Sequence, residues 1–281
     1  YAMITAAVIN IVLDLIFVMG FGWGIAGAAG ATIIAQISSG LYCYFYIRKI
    51  EVLSLSREDF RLEKEMDLKL VFLGLPMAFQ NAIISIGGMV VQTVVNGFGV
   101  IFIAGFTATN KLYGVLEVAA TSYGYAMITY VGQNLGAGKV DRIKKGMKAA
   151  LGIAILTAAA IAACMLVSGK GILACFISGE PQEVEMTMGI AYHYLSIMSV
   201  CLPILYILHV IRSALQGMGD TLLPMVSGIA EFIMRTGTAI ALPLLVGEEG
   251  IFYAEILAWM GADIILVCSY FVRIKQCAKK F

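Results

Sequence analysis

Charge is what this sequence lacks. Of its 281 residues only 13% are charged while 60% are hydrophobic, and a soluble chain would need about 25% charge to cover its surface. A water-soluble globular protein is therefore excluded. The net charge is +1 and no basic stripe interleaves with aromatics, so nucleic acid is not expected as a partner. None of the six cysteines, Cys43, Cys164, Cys175, Cys201, Cys268 and Cys277, forms a CxxC pair. Four fall well inside apolar runs and read as small hydrophobes in helices. HExxH, an Asp-rich metal motif and a Ser/His/Asp arrangement are all missing. No apparatus for chemistry on a substrate is visible, so neither an enzyme nor a cofactor is expected. The glycine-rich stretch 132–139 is not a phosphate loop, which would need Gly at Gln133 and Ser or Thr at Val140. Its glycines are expected to end one helix and turn the chain. An initiator Met and a signal peptide are missing too. Tyr1-Ala2-Met3-Ile4 runs straight into an apolar stretch, which reads as a fragment without its N-terminal part.

What the chain has instead is apolar runs of bilayer length. Eight candidate spans lie at roughly 2–19, 24–46, 70–95, 101–134, 147–168, 187–214, 223–246 and 250–272, each near the ~20 residues a bilayer demands. The runs are continuous rather than alternating, which selects helices over a barrel and an all-α integral membrane fold. Arg48, Lys49, Arg57, Arg61, Lys64 and Lys69 follow the second span, and Lys139, Arg142, Lys144, Lys145 and Lys148 the fourth. Arg212 ends the sixth, and Arg273, Lys275, Lys279 and Lys280 follow the eighth. The opposite loops hold only Lys170 as a basic residue, together with Glu180, Glu183, Glu185, Glu248 and Glu249. The positive-inside rule then places the basic loops and the C-terminus in the cytoplasm. In the polar segment 47–69, Ser56 and Asp59 read as a capping box opening a short interfacial helix through about Lys69. Phe60, Leu62 and Met66 would dip into the interface.

Polar groups inside the spans are the functional candidates. Asp14 sits in an apolar stretch with Asn10 four residues before it, on the same helical face. A carboxylate at that depth costs several kcal/mol unless it is protonated, paired or wetted. Gln80 and Asn81 follow Pro76 in the third span. Asn110, Lys111 and Glu117 share the fourth; Lys111 and Glu117, six residues apart, do not share a face. Lys111 reads either as a cavity-lining cation or as a snorkelling side chain. Glu231 and Arg235, four apart, suit an ion pair, and Glu255 would complete a buried triad that clamps helices together. His193 is expected at the outer end of its span and His209 in the interior. Thr32 by itself would be satisfied by its own i−4 carbonyl.

The first two spans resemble the last two at a shift of about 226 residues, with Gly24-Ile25 on Gly250-Ile251 and Tyr44-Phe45 on Tyr270-Phe271. The copies keep one orientation, as in a parallel repeat. By the same shift the first repeat would start about 155 residues before Tyr1, giving two six-helix lobes of which four helices are absent.

Asn10-Ile11-Val12-Leu13-Asp14, with Gly22-Trp23-Gly24-Ile25-Ala26-Gly27-Ala28-Ala29 and Ala31-Thr32, resembles the fifth and sixth helices of multidrug and toxic compound extrusion (MATE) antiporters. Residues 132–139 (Gly-Gln-Asn-Leu-Gly-Ala-Gly-Lys) resemble that family's loop after helix eight. Leu215-Gln216-Gly217-Met218-Gly219-Asp220-Thr221, with Pro224, resembles the loop after helix ten. The resemblance implies a two-lobe, twelve-helix transporter of which this chain supplies eight helices. Residues 1–46 would end the N-terminal lobe, 47–69 link the lobes, and 70–281 form the six-helix C-terminal lobe. It implies export of organic cations and other amphiphiles coupled to H⁺ or Na⁺, with no bound cofactor, by a monomer in a prokaryotic plasma membrane. In its DinF-type branch the coupling site matches Asn10, Asp14 and Thr32 here, and Gln80, Asn81, Asn110, Lys111 and Glu117 become candidates for lining a substrate cavity. Another branch places a Glu in helix seven and an Asp in helix ten. This chain departs from that pattern: between 202 and 211 it has no carboxylate and only His209 as a group that ordinarily titrates near neutral pH, so a C-terminal-lobe cation site is not expected. A lipid-linked sugar flippase of the same superfamily, a membrane prenyl transferase and an inactive scaffold remain the rival readings.

Overall fold

The computed structural model describes residues 1–50 and 62–280, and within them every long element is helical. Helix α1 spans Ala2–Asp14 and continues as a π-helical segment, Leu15–Gly20; α2 is Gly24–Ile47 and α3 Lys64–Val95. Helices α4 (Val100–Gly136), α5 (Val140–Leu173), α6 (Pro181–Gly217) and α7 (Leu222–Val246) follow. A 3₁₀ turn, Glu248–Tyr253, then leads into α8, Ala254–Lys280. Seven of these helices are long and apolar enough to cross a membrane; α4, which carries Asn110, Lys111 and Glu117, falls outside that set despite its length.

Two sequence expectations change. Helix α3 starts at Lys64, so residues 64–69 are its first turns rather than the end of a separate interfacial helix. A helix already hydrogen-bonded inside the bilayer continues into water at little cost wherever its residues tolerate it. The expected capping box at Ser56 and Asp59, and Phe60 beside it, lie outside the described residues. Helices α4 and α6 each run to 37 residues, about 55 Å at 1.5 Å per residue, well past a hydrocarbon core of about 30 Å. Arg212 accordingly lies inside α6, and only 8% of it is exposed.

The chain divides into two compact units, Tyr1–Lys64 and Glu65–Phe281. In the first, α1 and α2 form an antiparallel hairpin whose turn is bracketed by the rings of Phe17, Phe21 and Trp23, with centroids 5.1 to 6.2 Å apart.

The second unit is built around α6, which is flanked by α4, α5 and α8. Helix α4 approaches it closely because Gly105 faces the Thr187 carbonyl and Gly124 faces Ser213; small residues permit such contact where no hydrophobic force drives helices together. Polar staples reinforce the seam: the buried Thr109 hydroxyl donates to Ala191 O at 2.8 Å, and Tyr206 donates to Leu116 O at 3.2 Å. Near the α6 N-terminal half, Phe102, Phe106, Tyr194 and Phe252 stack with centroids 4.8 to 6.5 Å apart. Helix α3 docks differently. Gly87 lies against Arg235 and Phe232 of α7, and Gly228 of α7 lies against Gln80. Gln216 of α6 donates to Gln80 at 3.4 Å, and Arg235 donates to the main-chain carbonyl of Ile84 at 3.2 Å.

Both glycine-rich stretches end helices, as their composition predicts. After α4, Gly138 takes φ +69°, and Lys139 N–H returns to Asn134 O at 2.8 Å. After α6, Gly219 takes φ +79°, a left-handed conformation only glycine adopts without strain. The next residue, Asp220, accepts from Leu223 N–H in the first turn of α7 at 3.2 Å and pairs with Arg273 Nε of α8 at 2.5 Å.

Candidate coupling site and charged cavity

In the first unit, the Asp14 carboxyl ends the α-helical part of α1, where the backbone passes into the π segment. Its Oδ1 is buried and has no hydrogen-bond partner among the described residues. Widened turns of this kind are frequent at functional sites. Asn10 and Thr32 come together, the Asn10 amide standing 3.4 Å from the Thr32 hydroxyl. That hydroxyl donates to its own Ala28 carbonyl at 2.9 Å, so its proton is committed locally. Neither residue hydrogen-bonds Asp14. The three predicted residues form a neighbourhood rather than a closed coordination shell.

In the second unit, a cavity of about 370 Å³ gathers charge from four helices. Glu231 of α7 is 3% exposed and divides its carboxylate, Oε2 to Arg212 at 2.6 Å and Oε1 to Arg235 at 2.8 Å. Arg235 also holds Glu255 of α8 at 2.7 Å. The expected triad of Glu231, Arg235 and Glu255 is present but enlarged to a tetrad by Arg212, which the sequence reading had placed at the cytoplasmic end of its span. A basic residue near a span end reads equally as an interfacial anchor or a buried pair, and only the tertiary partner decides. Glu117 of α4 and His209 of α6 also line this cavity, Oε1 to Nε2 at 3.7 Å. Tyr113 and Trp259, with ring centroids 5.9 Å apart, form an aromatic wall. Asp263 of α8 lies within electrostatic reach of Arg212 and Glu231, with its Oδ1 buried and unpartnered among the described residues. Sequence reasoning passed over Asp263, although the rule that singled out Asp14, a carboxylate inside a span, applies to it equally.

The remaining candidates separate. Asn81 lines this cavity and also a second one of about 220 Å³, which Gln80, His209, Arg212 and Gln216 share. Asn110 and Lys111 line neither. Asn110 accepts from the Tyr194 hydroxyl at 3.4 Å. Lys111 is exposed on another face of α4 and has no ion pair among the described residues. Its six-residue offset from Glu117 turns it about 120° away around the helix. His193 stands at the other end of α6, with Nδ1 3.4 Å from Glu249. Among the described residues, no group of three or more His, Cys, Asp or Glu is arranged to hold a metal ion.

Comparison with known proteins agrees with this architecture. The probable multidrug resistance protein YpnP of Bacillus subtilis is 31% identical over 248 residues, covering 88% of this chain and 54% of the relative. The multidrug export protein MepA of Staphylococcus saprophyticus is 22% identical over 272 residues, 95% of this chain and 57% of its own length. The chain thus spans somewhat over half the length of these relatives. A solved MATE structure in complex with MaL6 superposes with a TM-score of 0.90 at 21% identity, covering 99% of this chain and 63% of that one. That likeness shows the fold: the all-α helical architecture of a larger MATE transporter. The relatives are bacterial and are named for resistance and export rather than catalysis, and with seven helices long and apolar enough to cross a bilayer the chain is a multi-pass membrane protein. The MatE family model matches residues 76–240, more than half of the sequence, and the chain belongs to that family.

Proposed function

We propose that the protein containing this chain is a secondary active antiporter that exports organic cations or drugs in exchange for H⁺ or Na⁺ by alternating access. In this reading residues 1–46 complete an N-terminal lobe, 47–69 link the lobes and 70–281 form the C-terminal lobe, with the C-terminus in the cytoplasm. Asp14 is the group that gains and loses the coupling ion, as in the DinF-type branch, and Asn10 and Thr32 are its neighbours. The observation that carries this is the Asp14 Oδ1, buried within an apolar helix and without a hydrogen-bond partner among the described residues. A carboxylate left unpaired in a water-poor setting is stable only when it holds a proton or a cation. Coupling then requires the two states of the transporter to bind that ion with different affinity.

The test is export of a fluorescent cationic dye by the full-length protein under imposed pH and Na⁺ gradients. Asp14→Asn is expected to abolish gradient-driven export; export unchanged from wild type removes Asp14 from the coupling role. The flippase alternative calls for a strongly cationic cavity. Three glutamates against two arginines around the 370 Å³ cavity argue against it.

A further inference from the structure

Polar contacts hold helix α3 in only one part of its length. At Gln80 it meets Gln216 of α6, and its Ile84 carbonyl meets Arg235 of α7. Among the described residues, no hydrogen bond or ion pair joins residues 64–79 to another helix. Beside that stretch lies an open groove of about 510 Å³. Phe72, Leu75 and Phe79 of α3 form one wall, and Leu222 and Met225 of α7 the other. Phe72, Leu75, Phe79 and Leu222 are each more than half exposed, and an apolar patch of this size marks a surface that something apolar covers. Arg273 of α8 and Asp220, just before α7 begins, are the charged members of the lining.

Charge and length identify what covers it. Arg273 commits Nε to Asp220 and Nη1 to Gln276, which leaves Nη2 without a partner among the described residues, and its side chain keeps 43% exposure. Asp220 has its other oxygen on Leu223 N–H, so both of its oxygens are engaged. Lys69 precedes Phe72 and Leu73 by three and four residues, which puts this exposed cation on the groove's face of α3, one turn farther out. Although Glu65 stands four residues before it, Lys69 has no ion pair among the described residues. From Lys69 to Phe79 is about 15 Å along the helix axis, half of a hydrocarbon core of about 30 Å. The groove is therefore one leaflet deep, with two cations at its mouth.

We propose that this groove seats one anionic phospholipid, its phosphate bridging Lys69 of α3 and Arg273 of α8 and one acyl chain lying along Phe72, Leu75 and Phe79. A free phosphate would meet the cations and leave the apolar walls uncovered. A lipid without net charge would cover the walls and leave the cations uncompensated. The bound lipid stands in for the polar contacts that residues 64–79 lack, and so ties the outer half of α3 to α7 and α8. This site is independent of the antiporter reading, since it uses neither Asp14 nor the charged cavity.

The test is native mass spectrometry of the purified full-length protein in detergent, titrated with equimolar phosphatidylglycerol and phosphatidylcholine carrying the same acyl chains. Wild type is expected to retain one phosphatidylglycerol with a preference of roughly tenfold or more. Lys69→Gln and Arg273→Gln should each lose about fivefold of that preference. Arg273→Gln also releases Asp220, so Lys69→Gln is the deciding variant. Lys275→Gln, an exposed charge on another face of α8, should leave the preference unchanged. Leu75→Trp fills the groove and should weaken retention of both lipids alike. Phosphatidylglycerol should raise the melting midpoint of wild type, and inorganic phosphate at the same concentration should not. Equal retention of the two lipids by wild type, wild-type preference in Lys69→Gln, or an equal loss in Lys275→Gln each overturns the proposal. So does unchanged retention in Leu75→Trp, or stabilisation by inorganic phosphate that matches the lipid's. Failure of the antiporter reading looks different: a protein that exports nothing under either gradient still selects the anionic lipid.

Discussion

Replacing Glu231 by Gln measures what holds the interior of the second unit together. The side chain is 4% exposed, and each carboxylate oxygen meets a guanidinium, at 2.6 and 2.8 Å. Gln keeps the shape but loses the charge, and its NH₂ must face a guanidinium that can only donate. Arg235 retains Glu255 at 2.7 Å, so the loss concentrates on Arg212, whose Nε already lacks an acceptor among the described residues. Removing one partner of a buried pair costs about 3–5 kcal/mol. Asp263, within electrostatic reach of Arg212, sets the expectation at the lower end, about 3 kcal/mol. At about 2–4 °C per kcal/mol for a unit of this size, the melting midpoint should fall by about 6–12 °C. The assay is recovery of the monodisperse size-exclusion peak after stepwise heating in detergent. Adding Arg212→Gln to Glu231→Gln removes the orphaned cation and should restore about half of the loss or more, a non-additivity that marks direct coupling. A single-variant midpoint within about 2 °C of wild type, or a double variant whose losses simply add, refutes the reasoning.

Gly105→Val places a Cβ 2.9 Å from the Thr187 carbonyl and 3.0 Å from Ile190; backbone cannot yield as a side chain does, and the same heating assay should register a loss of about 1–3 kcal/mol. Asp220→Ala removes both the acceptor for Leu223 N–H and the counter-charge of Arg273, and should cost about 1–2 kcal/mol. Limited proteolysis is expected to cut faster between α6 and α7 in that variant, and an unchanged cleavage rate would contradict the capping role.

The helices were legible because a bilayer leaves the backbone no other partner than itself, so each apolar run of sufficient length declares its own structure. Their ends were less so. Helices α3, α4 and α6 run on into water, where helix and coil differ by little and no apolar boundary marks the stop. The Glu231–Arg235 pair was visible from its four-residue spacing and depth. Arg212 was not, because its partner is 19 residues away on another helix. The shared face of Asn10 and Asp14 follows from helical periodicity, whereas the π segment after Asp14 has no local signature that residue types alone disclose. Glu117 was identified as a candidate, but its pairing with His209 joins α4 to α6 across 92 positions of sequence, and only the fold brings such residues together.

Arg235 uses one guanidinium nitrogen to hold the Ile84 carbonyl of α3 and another to hold two glutamates. A membrane helix of 32 residues is thus tethered in part by the same cation that settles an ionic account two helices away. Any event that loosens the guanidinium's grip on its anions also slackens the tether.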